Sequence, residues 1–181
     1  MRMTKKFPQY ALVYSDAVRL DRDDDGRLTA WRYVPEKDTF EVDNRFISSV
    51  QCAKYNDEIH IVSEDEFARY VALRRLEQEA RQFAFEAHGT QRYGKEPYRV
   101  HLEEVAKFAS YSSFNYTRQA VAYLHDVLED CTQVTANDIR MRFGEEICRL
   151  VVALTRQPNT SVAQYFQQIR AAGPDAVAVK L

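Results

Sequence analysis

The chain has 181 residues, 45% of them hydrophobic and 29% charged, with a formal net charge of −2. That is one medium domain, or a domain with a small annexe, large enough to bury a core without disulfides and too short for a large multi-activity enzyme. Its apolar stretches fall far short of the ~20 residues of a membrane span, and Met1–Tyr10 lacks the apolar run of a signal peptide. Residues 1–62 carry 10 Lys/Arg against 11 Asp/Glu and the remainder 15 against 16, so neither part is a basic nucleic-acid module.

Cys52, Cys131 and Cys148 are odd in number and lack CxxC spacing. They argue against a disulfide framework or a thiolate zinc site, and fit a reducing, cytoplasmic setting. Five Gly and five Pro are under half the ~12% of ordinary globular chains, which predicts long helices.

Residues 1–62 read as a β-rich N-terminal unit. Tyr10, Leu12, Tyr14, Val18 and Leu20 alternate like one face of a strand. Asp21 to Gly26 form a turn, and Leu28 to Val34 the return strand, stopped by Pro35. Asp21-x-Asp23-x-Asp25-Gly26 matches the start of an EF-hand loop, but the twelfth position is Arg32 and strand-like sequence follows. An acidic hairpin turn is the reading. Phe40–Val42, Phe46–Val50 and Glu58–Val62 are further strand candidates, with His60 facing solvent.

From Ser63 the period becomes helical. Ser63 and Glu66 make a capping box, and apolar residues from Phe67 to Ala87 share one face of a long helix that Gly89 ends. Further helices are predicted after Pro97 through Phe108, from Thr117 to Cys131, from Thr135 to Phe143, from Glu145 to Leu154 and from Val162 to Ala172, with a last apolar segment from Ala176 to Leu181. Ser110 to Tyr116 reads as an inter-helix loop that is able to flank a substrate. Residues 63–181 are thus an all-α bundle. The fold class is mainly α, and α+β overall.

The chemistry concentrates in Tyr123-Leu124-His125-Asp126-Val127-Leu128-Glu129-Asp130. On a continuous helix, His125 and Asp126 are each followed at i+4 by an acid, Glu129 and Asp130. One imidazole and three carboxylates then share about one and a half turns. Acids in a last helical turn oppose the dipole. A divalent cation such as Mn²⁺, Fe²⁺ or Zn²⁺, or a water to be activated, makes sense of them; a solvated acidic helix end with one satisfied histidine is the other reading. Upstream, the loop from His88 to Pro97 presents Gln91, Arg92 and Lys95, side chains suited to phosphate or base contacts, and His101 falls one turn into the next helix.

The run H-G-x-Q-R-Y-G-x-x-P-Y-x-x-H (His88–His101), then L-H-D-V-L-E-D, F-G-E-E-I and L-T-R, resembles the HD-domain phosphohydrolases. More narrowly it resembles the RelA/SpoT-type guanosine polyphosphate (ppGpp) pyrophosphohydrolases of the stringent response and their small stand-alone relatives. The resemblance extends over about Leu76–Leu181. It implies an HD-domain helical bundle that removes the 3′-pyrophosphate of ppGpp or pppGpp with Mn²⁺. It also implies that His101, His125 and Asp126 are metal ligands and that Glu129 and Asp130 position or activate water. Arg92 is the nearest match to a nucleotide-contacting arginine, with Gln91, Lys95 and Tyr98 as further substrate contacts; the loop is one residue shorter than in the long bifunctional members.

The resemblance also implies a last metal-ligand Asp after Val179-Lys180-Leu181, where this sequence stops; Asp175 lies eight positions too early to replace it. A three-ligand site predicts weaker metal binding. There is no room for a synthetase half, so no alarmone synthesis is expected. His88 is expected to bond the loop, and Cys131, beside the acids, to be unreactive. The expected partner is a small-molecule nucleotide, with no nucleic acid or membrane. Two other readings stay open: a catalytically impaired nucleotide-binding or regulatory module, and an HD-type nucleotidase or phosphodiesterase of another substrate.

Overall fold

The structure, a computed structural model, describes residues 6–110 and 115–180. It divides into two compact units between Arg75 and Leu76, a boundary that falls inside one long helix. Parts of the predicted Met1–Tyr10 and Ser110–Tyr116 segments, and Leu181, lie outside the described residues.

In the first unit β1 (Gln9–Val13), β2 (Asp16–Arg22), β3 (Leu28–Val34), β4 (Thr39–Val42) and β5 (Ile59–Val62) form one antiparallel sheet of order β4-β3-β2-β1-β5. The apolar alternation from Tyr10 to Leu20 is two strands, not one. Val13 pairs with Asp16 across a two-residue turn in which Tyr14 takes φ +55°. Tight hairpins need positive φ, usually from Gly or Asn, so the tyrosine concealed the turn. The turn also reverses the parity. Val18 and Leu20 belong to one apolar cluster and Tyr10 and Leu12 to another, on opposite sheet faces. The acidic turn closes β2 onto β3, with the Asp23 carboxylate accepting from the Arg27 N–H at 2.7 Å.

Phe46–Val50, predicted as a strand, is instead α1 (Phe46–Gln51). Phe46, Ile47 and Val50 recur at helical spacing and pack together on the sheet cluster of Val18, Leu20 and Ala30. That spacing outweighed the β-forming residue types. His60 is exposed on β5.

The remaining elements are α2 (Glu64–His88), the two-residue strands β6 (Arg92–Tyr93) and β7 (Glu96–Pro97), α3 (Tyr98–Ala109), α4 (Tyr116–Leu124), α5 (Val127–Asp130), α6 (Ala136–Phe143), α7 (Glu145–Leu154), α8 (Val162–Ala172) and α9 (Pro174–Lys180). Their starts follow from capping chemistry. Ser63 and Glu66 exchange reciprocal bonds at the head of α2, as Thr135 and Asp138 do at α6 and Ser161 and Gln164 at α8. Gly89, at φ +51°, ends α2 in a conformation that costs glycine nothing.

The second unit's core is built from Leu102, Val121, Leu124, Ile139, Ile147, Leu150 and Leu154. Arg118 ties three elements together, donating to Asp175 at 2.8 Å and to the Ala109 carbonyl at 3.2 Å, so Asp175 is engaged in an ion pair.

The helix predicted from Thr117 to Cys131 is broken. α4 ends at Leu124 and α5 begins at Val127, with Asp126 at φ −101°, ψ −5°. The continuous helix that the i,i+4 spacing of His125 and Glu129 presupposes is therefore interrupted between them.

Candidate metal centre

The break sits where the ligand-type side chains are. Because α4 stops at Leu124, the Ala122 carbonyl is one of the terminal acceptors left without a helical partner. His125 takes it, with Nδ1 at 2.8 Å. A carbonyl only accepts, so Nδ1 carries the hydrogen and the neutral ring's Nε2 offers a bare lone pair.

Nε2 of His125 faces Oδ2 of Asp126 at 2.9 Å, and Nε2 of His101, brought in by α3, lies 3.5 Å from the same oxygen. The Tyr98 hydroxyl donates to Oδ2 at 2.6 Å. Among the described residues His101, His125 and Asp126 form a group whose ligand atoms all lie within 4.8 Å of one another. With neutral imidazoles, lone pairs converge on a carboxylate oxygen. Such a cluster calls for a shared proton or a cation, and two nitrogens with one carboxylate oxygen suit a first-row divalent ion.

The electrostatics agree. Burial pushes the Asp126 carboxyl up, but with a proton shared between the two groups the hydrogen bond and charge from His125, then the Tyr98 hydroxyl and the Lys180 ammonium, outweigh it and hold the group well below the usual carboxylate range. Burial, and then the neighbouring His125, push His101 down despite Asp126, so its ring favours the neutral, ligating form. Burial, followed by Asp126 and Asp130, pushes the Tyr98 phenol far up, which keeps its proton in place as a donor.

Aromatic rings support the cluster. Tyr93 stacks on His101 with centroids 4.3 Å apart, and His88 stacks on Tyr98 at 4.2 Å. Tyr98 also meets His101 edge-on at 5.4 Å. The β6–β7 hairpin, turned at Gly94 (φ +59°), carries Tyr93 into place.

The other predicted site residues separate into groups. Asp130 accepts from Gln91 Nε2 at 2.9 Å, and Gln91 Oε1 meets His88 Nδ1 at 2.9 Å, so the amide of Gln91 links a buried histidine to an exposed carboxylate. Glu129 points elsewhere, accepting from the Arg156 main-chain N–H beyond α7. Arg92 donates to the Lys95 carbonyl across the hairpin turn, and both residues are exposed. Tyr98 is buried, with its hydroxyl committed to Asp126. Sequence reasoning overlooked Tyr93 and the influence of Lys180 on Asp126. The only signal for Tyr93 was its place in a tight loop, and for Lys180 its place in the Val179-Lys180-Leu181 run before the expected last ligand. Cys131 is buried, and burial followed by Asp130 and Asp126 pushes its thiol up to about 11.

The HD-domain family model matches residues 80–176. The chain is 40% identical over 80 residues to a guanosine-3′,5′-bis(diphosphate) 3′-pyrophosphohydrolase of Aquifex aeolicus, a match covering 44% of this chain and 11% of that protein. It is 39% identical over 75 residues to a GTP pyrophosphokinase of Brucella ovis, covering 41% of this chain and 10% of the relative. The chain thus spans about a tenth of the length of the curated relatives it matches. Among the described residues no helix is long and apolar enough to cross a membrane. The family match takes in more than half of the sequence and includes every member of the His101–His125–Asp126 cluster, and the chain belongs to the HD-domain family.

Proposed function

We propose that residues 63–181 act as a metal-dependent phosphohydrolase on a nucleotide pyrophosphate, the 3′-pyrophosphate of (p)ppGpp, in the cytoplasm, with residues 1–62 as a separate β-rich unit. The observation that carries this reading is the convergence of His101, His125 and Asp126 on one point, with the His125 tautomer fixed so that Nε2 faces inward.

Those three residues would hold the ion, and Mn²⁺ suits their mixed nitrogen and oxygen donors. When bound, the ion supplies Lewis acidity and lowers the pKa of a coordinated water. Tyr98 orients the Asp126 carboxylate through its hydroxyl, and Asp130, held by Gln91, offers a carboxylate beside the cluster to take the proton of an attacking water. Arg92 and Lys95 stand exposed on the hairpin above, where their charges meet phosphate oxygens. The names of the Aquifex and Brucella relatives support guanosine polyphosphates as the substrate class.

The commitment of Glu129 to the Arg156 main chain favours a second reading, nucleotide binding without turnover. One assay separates them. The full chain is incubated with Mn²⁺ and ppGpp, and pyrophosphate release is followed against His125→Ala. The hydrolase reading expects release that the variant abolishes. Absence of release, with wild type and variant alike, overturns it.

A further inference from the structure

The first unit contains a cation with no role in the chemistry above. Arg19 stands in the middle of β2, the central strand, with Tyr10 and Trp31 as its cross-strand partners. Its neighbours on that sheet face are mostly aromatic or apolar, Tyr10, Leu12, Tyr33 and Phe40 among them. Nε of Arg19 is shielded from solvent and has no hydrogen-bond partner among the described residues. Its guanidinium lies over rings, Trp31 at 5.7 Å and Phe40 at 6.0 Å to the centroids.

The same arginine borders a cavity of about 360 Å³ walled by Tyr10, Phe40, Phe67, Ala68 and Val71. Tyr10 and Phe67 lie 4.9 Å apart, and Phe40 stacks on Phe67 at 6.0 Å, so the walls are flat and aromatic. The other charged groups at its rim are engaged. Glu64 accepts from the Tyr10 hydroxyl at 2.9 Å, and Arg75 donates to Asp38 at 2.7 Å. Among the described residues the cleft therefore combines an aromatic slot with a guanidinium whose Nε has no hydrogen-bond partner.

We propose that this cleft is a ligand site for a small planar aromatic carboxylate, its ring against Phe40 and Phe67 and its carboxylate on Arg19. The volume is at the lower end of the range of small-molecule pockets, ~300–1,000 Å³. A guanidinium fork matches one carboxylate in bidentate fashion. One guanidinium does not match the charge of a polyphosphate, which separates this site from the candidate metal centre in chemistry. The competing account is that Arg19 lies on Trp31 and Phe40 as a cation–π contact and binds nothing.

The test uses the full chain and 2-naphthoate, followed by calorimetry and by the indole N–H resonance of Trp31, the single tryptophan in the sequence. The proposal expects one-site binding with a shift of that resonance. Arg19→Met and the uncharged analogue 2-naphthamide should each weaken binding tenfold or more. Ala68→Phe, an exposed helical position on the cavity wall, should block binding while leaving the circular dichroism spectrum unchanged. Failure of the wild type to bind overturns the proposal. So does equal binding of 2-naphthoate by Arg19→Met, or of the amide by the wild type, because the anion would then play no part.

Discussion

Tyr98→Phe isolates one interaction of the candidate metal centre. The substitution removes a hydroxyl that donates to Asp126 Oδ2 at 2.6 Å and leaves the ring, with its stack on His88 and its edge contact with His101. No cavity larger than an oxygen atom opens. A hydrogen bond to a charged acceptor contributes about 1.5–3 kcal/mol, and loss of a partner that orients a metal ligand costs about 10–100-fold in affinity. The freed carboxylate is more basic, which returns part of the loss, so the expected fall in Mn²⁺ affinity is about tenfold, or ~1.4 kcal/mol. Without metal, the same lost bond should lower the urea midpoint by about 0.75–1.5 M, for a denaturant slope near 2 kcal/mol/M. Mn²⁺ affinity, read from the EPR signal of free ion over the full chain, and urea unfolding without metal check the two halves separately. A variant that binds Mn²⁺ within twofold of wild type and unfolds at the same urea concentration would refute the role given to Tyr98.

Three further outcomes test the fold and its thiols. Leu124→Ala empties a fully buried position at the end of α4 and should cost about 2–5 kcal/mol in chemical unfolding. Gly144→Ala should cost about 1–3 kcal/mol although a Cβ there meets nothing within 4 Å, because φ +87°, ψ 170° is a conformation reserved for glycine; an unchanged melting profile would contradict this. Alkylation by iodoacetamide at pH 8, followed by mass spectrometry, should label exposed Cys52 first and leave buried Cys131 and Cys148 untouched. For Cys131 the raised pKa leaves about one thiolate in a thousand at that pH, and its reaction rate should climb with each pH unit until about 11.

The helical half was legible because its signals are local. Ser63, Thr135 and Gly89 mark helix ends through bonds made within three or four residues, and the structure makes those bonds. The His101–His125–Asp126 grouping was reachable because motif order stands in for tertiary proximity. What escaped depends on partners distant in sequence or on an unusual residue in a local role. Tyr14 occupies a turn position that glycine would have advertised. Phe46 to Val50 has strand-forming side chains, but a sheet surface selects their helical spacing. Glu129 satisfies a main-chain N–H 27 residues away, which no i,i+4 rule anticipates.

The interruption between α4 and α5 distributes mutational risk unevenly over the candidate metal centre. His125 owes its ring orientation to the Ala122 carbonyl, a backbone atom that side-chain replacement does not delete. Asp126 and Asp130 owe theirs to the side chains of Tyr98 and Gln91, each one nucleotide change away from loss. Neutral drift can therefore loosen the carboxylates long before it disturbs the histidine. In a homologue losing activity, the hairpin and the first turn of α3 are where decay should begin.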